Sequence, residues 1–259
     1  MSEKRKVIIH KHIFKNAGTT FDWSLKNSFG TAFCDHRDDK DMQRGREAYL
    51  IDFLMKNPEV RALSSHAIRF SPPKHDELEL IPVYLIRHPI ERIRSVYNFE
   101  HLQPPVTLGA KMAKNMNLKE YVAWRMREDV PATIRNFQTR VLGDIRSRQK
   151  ITDDDFRIAL EELETSEYIG VVDRYDDSMK VFQHLFDKIG IQLDLSYIPQ
   201  NVYANNHHRP IQENAKDVLY DLGKLAQKTI ENNQFDLEIY NRANLKLTNK
   251  LKGLKTAYS

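Results

Sequence analysis

The sequence predicts a three-layer α/β domain with a central parallel sheet flanked by helices. Three observations carry this. Apolar runs of strand length alternate with segments of helical spacing. The first run, Val7-Ile8-Ile9, enters a small-residue loop that leads straight into an apolar-aromatic helix pattern. The strongest run, LIPVYLI at 80–86, is again followed by helical spacing. Strands joined through helices pair in parallel, and the helices then cover both faces of the sheet. Ligands in such folds gather at the C-terminal ends of the strands.

The elements follow in order. Val7 to Ile13 reads as the first strand and Phe21 to Phe29 as the first helix. Residues 35–46, DHRDDKDMQRGR, are so charged that a surface loop or exposed turn is expected. Tyr49 to Met55 suits a short helix that stops near Asn57-Pro58. Val60 to Ser64 is a short strand. Leu80 to Ile86 is a strand whose core is expected at Val83 to Ile86, because Pro82 cannot donate to a ladder. Ile90, Ile93, Val96 and Tyr97 give a helix from Pro89 to His101, and Gln103 to Gly109 reads as a loop. Helices are expected over Leu118–Arg127, Asn136–Leu142 and 153–164, the last with Thr152 and Asp155 as a capping pair. Tyr168 to Val172 is a strand and Ser178 to Ile189 an amphipathic helix closed by Gly190. Asn201 to Pro210 is turn-rich. Asn214–Gln234 and Asp236–Lys246 form one or two final helices.

The bulk numbers bound the function. With 259 residues, 41% of them hydrophobic, the chain reads as a single domain over 1–259. No apolar run approaches the ~18 residues of a membrane span, and the N-terminal MSEKRKVIIH offers too short an apolar run for a signal peptide. The single Cys34 excludes an internal disulfide and fits a reducing compartment, so a cytoplasmic location is expected. A net charge of +4 suits an acidic ligand. The basic residues form local clusters at Lys4–Lys6, Arg87–Arg94 and His207–Arg209. With no long Lys/Arg tract and no zinc spacing, nucleic acid is not an expected partner.

Two motifs carry the chemistry. The first is HKHIFKNAGTTF at 10–21, where Lys15 stands at the entrance of a loop formed by Asn16, Ala17, Gly18, Thr19 and Thr20. Free backbone N–H groups at such a helix start favour an anion. An ATP-type P-loop places its lysine after the glycines, followed by a hydroxyl for magnesium. Here the lysine comes first, which disfavours a metal-dependent kinase or NTPase. The same residues also suit a helix start with a solvated lysine. The second motif is RHPIERIRS at 87–95. Arg87 at a strand end offers a two-pronged fork to a phosphate. Ser95, about two helical turns further on, can donate its hydroxyl to the same group. Pro89 suits the first helical turn. The alternative is an amphipathic helix with a solvated basic face.

Together these segments resemble the sulfotransferases that use 3′-phosphoadenosine 5′-phosphosulfate (PAPS). The match is closest to the carbohydrate branch related to heparan sulfate 2-O-sulfotransferase, in a soluble, bacterial-type form without a membrane anchor. Lys15 through Thr20 resemble its 5′-phosphosulfate loop, and Arg87-x-Pro-x-x-Arg-x-x-Ser95 its 3′-phosphate motif. The resemblance implies a P-loop-nucleotide-hydrolase-like fold. It also implies PAPS held by Lys15, Asn16, Ala17, Gly18, Thr19, Thr20, Arg87 and Ser95, with Arg92 a further candidate and no metal needed. Weaker echoes at Asn136–Arg140, Ile169–Ser178 and Asn205–Pro210 extend it along the chain, and from the last come Asn205 and Arg209 as nucleotide contacts. For Arg140 and Arg174 a structural ion pair is the alternative.

Sulfuryl transfer needs a base for the acceptor hydroxyl. His66, after the second strand, resembles the family's catalytic histidine, and an imidazole titrates near neutrality. A structural histidine is the competing reading. Strand alternation points His10 and His12 to one face, and Asp22 is a further base candidate. Glu91 is positioned to pair with Arg87 or Arg94. Trp23, Trp124 and Tyr97 suit either sugar stacking or core packing. The expected activity is sulfuryl transfer from PAPS to a hydroxyl of a carbohydrate, glycolipid or other glycoconjugate. The alternatives are a non-catalytic nucleotide-binding module and, further off, a small-molecule kinase.

Overall fold

Strand alternation decides how the layers form. The computed structural model describes residues 3–146, 148–197 and 211–257. Among these are five strands: β1 (Arg5–Lys11), β2 (Phe33–Asp35), β3 (Ala62–Ser65), β4 (Leu78–Ile86) and β5 (Tyr168–Val171). They form one sheet in the order β2-β3-β1-β4-β5, and every pairing is parallel. The register sets Ile8 beside Ala62 and Ile81, and Val83 beside Tyr168. The expected three-layer α/β architecture is therefore what the chain adopts.

The helices are α1 (Gly18–Phe29), α2 (Asp39–Lys56), α3 (Pro89–Leu102), α4 (Leu108–Asn115), α5 (Leu118–Arg125) and α6 (Phe137–Leu142), then α7 (Asp153–Thr165), α8 (Tyr175–Lys188), α9 (Ile211–Leu222), α10 (Ala226–Glu231) and α11 (Gln234–Ala257). Successive strand residues face opposite layers. Ile8, Val83 and Leu85 pack against Phe21 and Leu25 of α1 and Phe182 and Phe186 of α8. On the other face, Val7 and Ile9 meet Met42, Leu50 and Leu54 of α2. Tyr84 and Ile86 meet Leu163 of α7 and Ile239 and Ala243 of α11. A fourth cluster joins α3, α5 and α9 through Ile93, Val96, Tyr121, Val122, Val218 and Leu222, with Phe14 from the loop after β1 packed against it. No helix among the described residues is long and apolar enough to cross a membrane.

Several boundaries differ from expectation for identifiable reasons. The charged stretch from Asp39 onward is helical, not a loop. Asp38 caps it by accepting from the Asp41 N–H at 3.3 Å, its first-turn acids suit the helix dipole, and Met42 anchors it in the core. A kink at Arg46 (φ 50°) then joins it to the expected helix over 49–55. The expected loop over 103–109 ends earlier, because Thr107 caps α4 through the Ala110 N–H at 3.1 Å. β4 extends back to Leu78, since β5 pairs only from Val83 onward and Pro82 removes nothing from that ladder. Gly223 (φ 54°) interrupts the helix expected over 214–234. The turn-rich segment 201–210 lies outside the described residues.

Two helix starts cap each other across the sequence. The Asp236 carboxylate of α11 accepts from the backbone N–H groups of Gln138 (3.0 Å) and Thr139 (2.7 Å) and from the Thr139 hydroxyl (2.7 Å). In return Asn136, in the left-handed region at φ 45°, accepts with Oδ1 from the N–H groups of Phe235 and Asp236, both at 3.1 Å. Asp236 is 1% exposed, so its loss strands buried donors. Asp236→Ala is expected to cost about 3 kcal/mol of stability in urea unfolding, and Asp236→Asn about half of that. A cost for Asp236→Ala below about 1 kcal/mol would show that the cap contributes little.

Candidate functional site

The loop between β1 and α1 crosses the C-terminal end of the sheet. Two non-glycine residues in it, Lys15 (φ 63°) and Ala17 (φ 57°), adopt left-handed backbone. Such geometry is costly and persists only where neighbours fix it. Here Arg92, buried at 2% exposure, donates from Nε to the Phe14 carbonyl (3.0 Å) and from Nη1 to the Thr133 carbonyl (2.9 Å). Asn16 turns inward, where its Nδ2 donates to the Leu85 carbonyl (2.7 Å) and to Gln138 Oε1 (2.6 Å). Its side chain braces the loop from behind. Gly18 is obligatory for a steric reason: a Cβ there would come within 2.3 Å of the His12 ring.

This fold leaves three N–H groups, those of Ala17, Gly18 and Thr19, without an acceptor among the described residues. Thr19 is exposed and Thr20 buried. The Lys15 ammonium lies 4.4 Å from the centre of the Phe99 ring and makes no ion pair among the described residues. Burial first, then the nearby guanidinium groups of Arg87 and Arg92, lower its pKa to about 8, so it remains an ammonium at neutral pH. Unpaired N–H groups beside an unpaired ammonium make a site for an anion.

Arg87 reaches the same place from the end of β4. Its Nη1 donates to the Lys15 carbonyl at 3.2 Å, and its Nε meets Glu91 Oε2 at 3.3 Å. Nη2 keeps no partner among the described residues. Arg87, Glu91 and Ser95 follow at intervals of four, so Glu91 and Ser95 share one face of α3. The half-buried Ser95 hydroxyl makes no hydrogen bond to the described residues. Glu91 thus pairs with Arg87, while Arg94 pairs with Asp221. Asp173 stands near this pair, and burial together with the Glu91 charge pushes its carboxyl up to about 7.

His66 follows β3 on the other side of the loop. Its Nδ1–H donates to the His12 carbonyl at 2.7 Å, which leaves Nε2 as the acceptor nitrogen. Burial and the neighbouring His12 ring, 4.0 Å away between centroids, lower its pKa to about 4. The imidazole is therefore neutral at physiological pH and able to take a proton. His10 and His12 do share one face, as strand alternation requires. Both Nδ1 atoms contact Asp22, at 2.7 and 2.9 Å. Burial alone would raise the Asp22 pKa, but the two imidazoles overrule it and hold the carboxyl well below the usual range. Its two oxygens are taken up in this way, which removes Asp22 from proton abstraction. The ligand atoms of His10, His12 and Asp22 lie within 4.8 Å of one another, a spacing that suits a cation. In the arrangement seen, they satisfy one another by hydrogen bonds.

The remaining candidates separate cleanly. Arg140 donates to the carbonyls of Arg135, Arg146 and Gln149, and Arg174 pairs with Asp177 and Thr248, so both brace loops and helices. Tyr97 donates to the Met116 carbonyl, and Trp124 lies under the Arg125 guanidinium, which pairs with Glu100. Both belong to packing. Trp23 is half-buried. Asn205 and Arg209 lie outside the described residues. The sequence reading missed Gln138 and Phe99. Gln138 Oε1 accepts from Asn16 and from the Arg87 N–H (2.8 Å), and its Nε2 donates to the Arg87 carbonyl (2.9 Å). Nothing local in the sequence marks either residue, because their partners are distant along the chain.

The depressed His66 pKa has a sign that can be checked. An unfolded imidazole takes its proton below about 6.5, whereas His66 in the fold resists until about 4. The unfolded state binds more protons between those values, so stability falls as pH drops from about 6.5 to about 4. His66→Asn is expected to flatten that part of the curve of urea midpoint against pH. An unchanged slope would assign the effect to other groups, His12 first.

No family model matches the chain. Among curated proteins, an uncharacterized protein of Archaeoglobus fulgidus is 27% identical over 246 residues, covering 92% of this chain and 96% of its own.

Proposed function

We propose that this chain is a PAPS-dependent sulfotransferase that moves a sulfuryl group to a hydroxyl of a carbohydrate or glycoconjugate. The observation that carries the proposal is the convergence at one end of the sheet of an unpaired ammonium, unpaired loop N–H groups and a neutral imidazole. Lys15 lies beside Arg87, and His66 lies beside His12, whose ring packs on Gly18. Anion, leaving-group charge and acceptor proton each find a partner there. The resemblance of Lys15–Thr20 and Arg87–Ser95 to the sulfotransferase motifs supplies the identity of the anion.

In this reading the N–H groups of Ala17, Gly18 and Thr19 hold the 5′-phosphate, and Arg87 with Ser95 reads the 3′-phosphate. Glu91 orients the Arg87 guanidinium by fixing Nε, while Nη2 faces the ligand. The acceptor oxygen attacks sulfur as its proton passes to His66 Nε2. The sulfur–oxygen bond to the nucleotide breaks, and Lys15 offsets the charge that develops on the departing phosphate oxygen. A bound anion raises the proton affinity of both Lys15 and His66, which favours the protonated states that each needs during transfer. Asn16 and Arg92 act as braces of the loop, outside the ligand contacts. A cytoplasmic enzyme with a soluble or lipid-linked sugar acceptor fits this reading.

Mass-shift screening of acceptors with PAPS tests it directly. Transfer is expected to proceed without added magnesium, and a strict magnesium requirement with ATP turnover would sink the proposal. Lys15→Ala is expected to lower turnover by about 10²–10³-fold. His66→Ala should lower it by about 10²–10⁴-fold while nucleotide affinity is retained; lost binding with lost folding would make His66 structural.

Arg87→Ala addresses the other phosphate. By calorimetry it is expected to weaken 3′-phosphoadenosine 5′-phosphate by about 10–100-fold and its 3′-dephospho analogue little. Equal losses would remove Arg87 from the 3′ position.

A further inference from the structure

The corner between α3 and α4 exposes more apolar surface than its neighbours. Leu102 is 64% exposed, Val106 81% and Leu108 60%. Pro104 and Pro105 between them are exposed as well. Five apolar side chains thus crowd one turn, whereas exposed apolar residues elsewhere stand singly. The turn is built to stay put. Thr107 caps α4, His101 meets the Ala113 carbonyl through Nδ1 at 2.8 Å, and Lys114 donates to the His101 carbonyl at 3.0 Å.

Its charge is one-sided. Residues 101–119 contain Lys111, Lys114 and Lys119 and no aspartate or glutamate. All three lysines are exposed, and none makes an ion pair among the described residues. The nearest acid before this stretch, Glu100, is taken up by Arg125 and Tyr121. An apolar tip flanked by Lys111 and Lys114, with the first carboxylate that follows, Glu120, held in the Asn117 capping box, matches the interface of an anionic bilayer, where apolar side chains enter the acyl boundary and ammonium groups meet lipid phosphates.

We propose that the Leu102–Leu108 corner docks this protein on an anionic membrane surface. The position gives the docking a use. Phe99, which carries the Lys15 ammonium at 4.4 Å, lies three residues before Leu102 on α3, a rise of about 4.5 Å. Phe14 of the anion loop packs edge-on against the same ring, with centroids 5.3 Å apart. The tip therefore borders the anion loop, and a surface that receives the tip brings lipid headgroups to that loop. This suits an acceptor sugar carried on a lipid. That consequence rests on the sulfotransferase reading, but the docking does not, and its assay contains no nucleotide.

Co-sedimentation of the full chain with phosphatidylcholine vesicles, with and without about 30% phosphatidylglycerol, tests the docking. Binding to the anionic vesicles is expected, weakened by added salt and small on phosphatidylcholine alone. The pair Val106→Asp and Leu108→Asp should lower partitioning by at least tenfold, and the pair Lys111→Glu and Lys114→Glu should lower it on anionic vesicles only. Circular dichroism checks that each variant is folded, and Leu102→Ser with Val106→Ser serves if the aspartates perturb the turn. Absence of binding by the unaltered chain, or equal binding by the tip variants, would overturn the proposal. So would a dimer in light scattering that the tip substitutions split while vesicles remain unbound, since the tip would then cover a second copy of this chain.

Discussion

One buried amide, that of Gln138, holds the β1–α1 loop and the turn before α3 in fixed relation. It lies fully inside the protein and spends both ends of its amide on backbone or on Asn16. Through Oε1 it grips the first turn at Asn16 and the second at the Arg87 N–H. Its own N–H is held by Asp236, so the grip is passed to α11. Arg92 supplies a second tie from α3 to the Phe14 carbonyl. Between these ties the left-handed backbone of Lys15 and Ala17 becomes affordable, and the N–H groups of residues 17–19 are left without an acceptor among the described residues.

The buried charges in this region are answered to different degrees. Asp22 is hydrogen-bonded by two imidazoles, Arg92 donates to two carbonyls and lies 4.3 Å from an aromatic ring, and Lys11 meets Glu162 inside the α7 layer. Asp22 and Lys11 thus have partners within the chain, as burial demands, while Arg92 keeps its Nη2 without one among the described residues. Lys15 has only an aromatic face and two like-charged neighbours. Burial first, then those neighbours, lower its proton affinity, and burial does the same to the paired Lys11.

Much of this was legible in the sequence, for physical reasons. β1, β4 and the helices after them declare themselves by period and by abrupt polar ends, and these four elements place Lys15 and Arg87 correctly at the C-terminal edge. The capping pair Thr152 and Asp155 was also readable, because a cap is local. What escaped was non-local or short. β2 has three residues, too few for an alternation to register. The helix start at Asp39 is nearly all charge and is fixed by one cap and one buried methionine. The inward turn of Asn16 depends on Gln138, 122 residues away, and no pattern in a linear sequence announces such a partner. Alternation places His10 and His12 on one face, yet that Asp22 would hydrogen-bond both needed the first turn of α1 to be seen in space.

The reciprocal caps between Asn136 and Asp236 tie the site to the order in which the chain is made. The segment that carries Gln138 starts a six-residue helix, too short to hold itself together in water. Its first N–H groups are answered by a carboxylate about a hundred residues later. A ribosome has therefore delivered the β1–α1 loop, Arg87, β5 and most of the helical layers before Asp236 is synthesised. Until α11 docks, the N–H groups of Gln138 and Thr139 lack the carboxylate that accepts from them. The carboxylate that fixes this helix start is thus among the last parts of the chain to be made, and the final helix completes a corner of the sheet edge whose other pieces are already present.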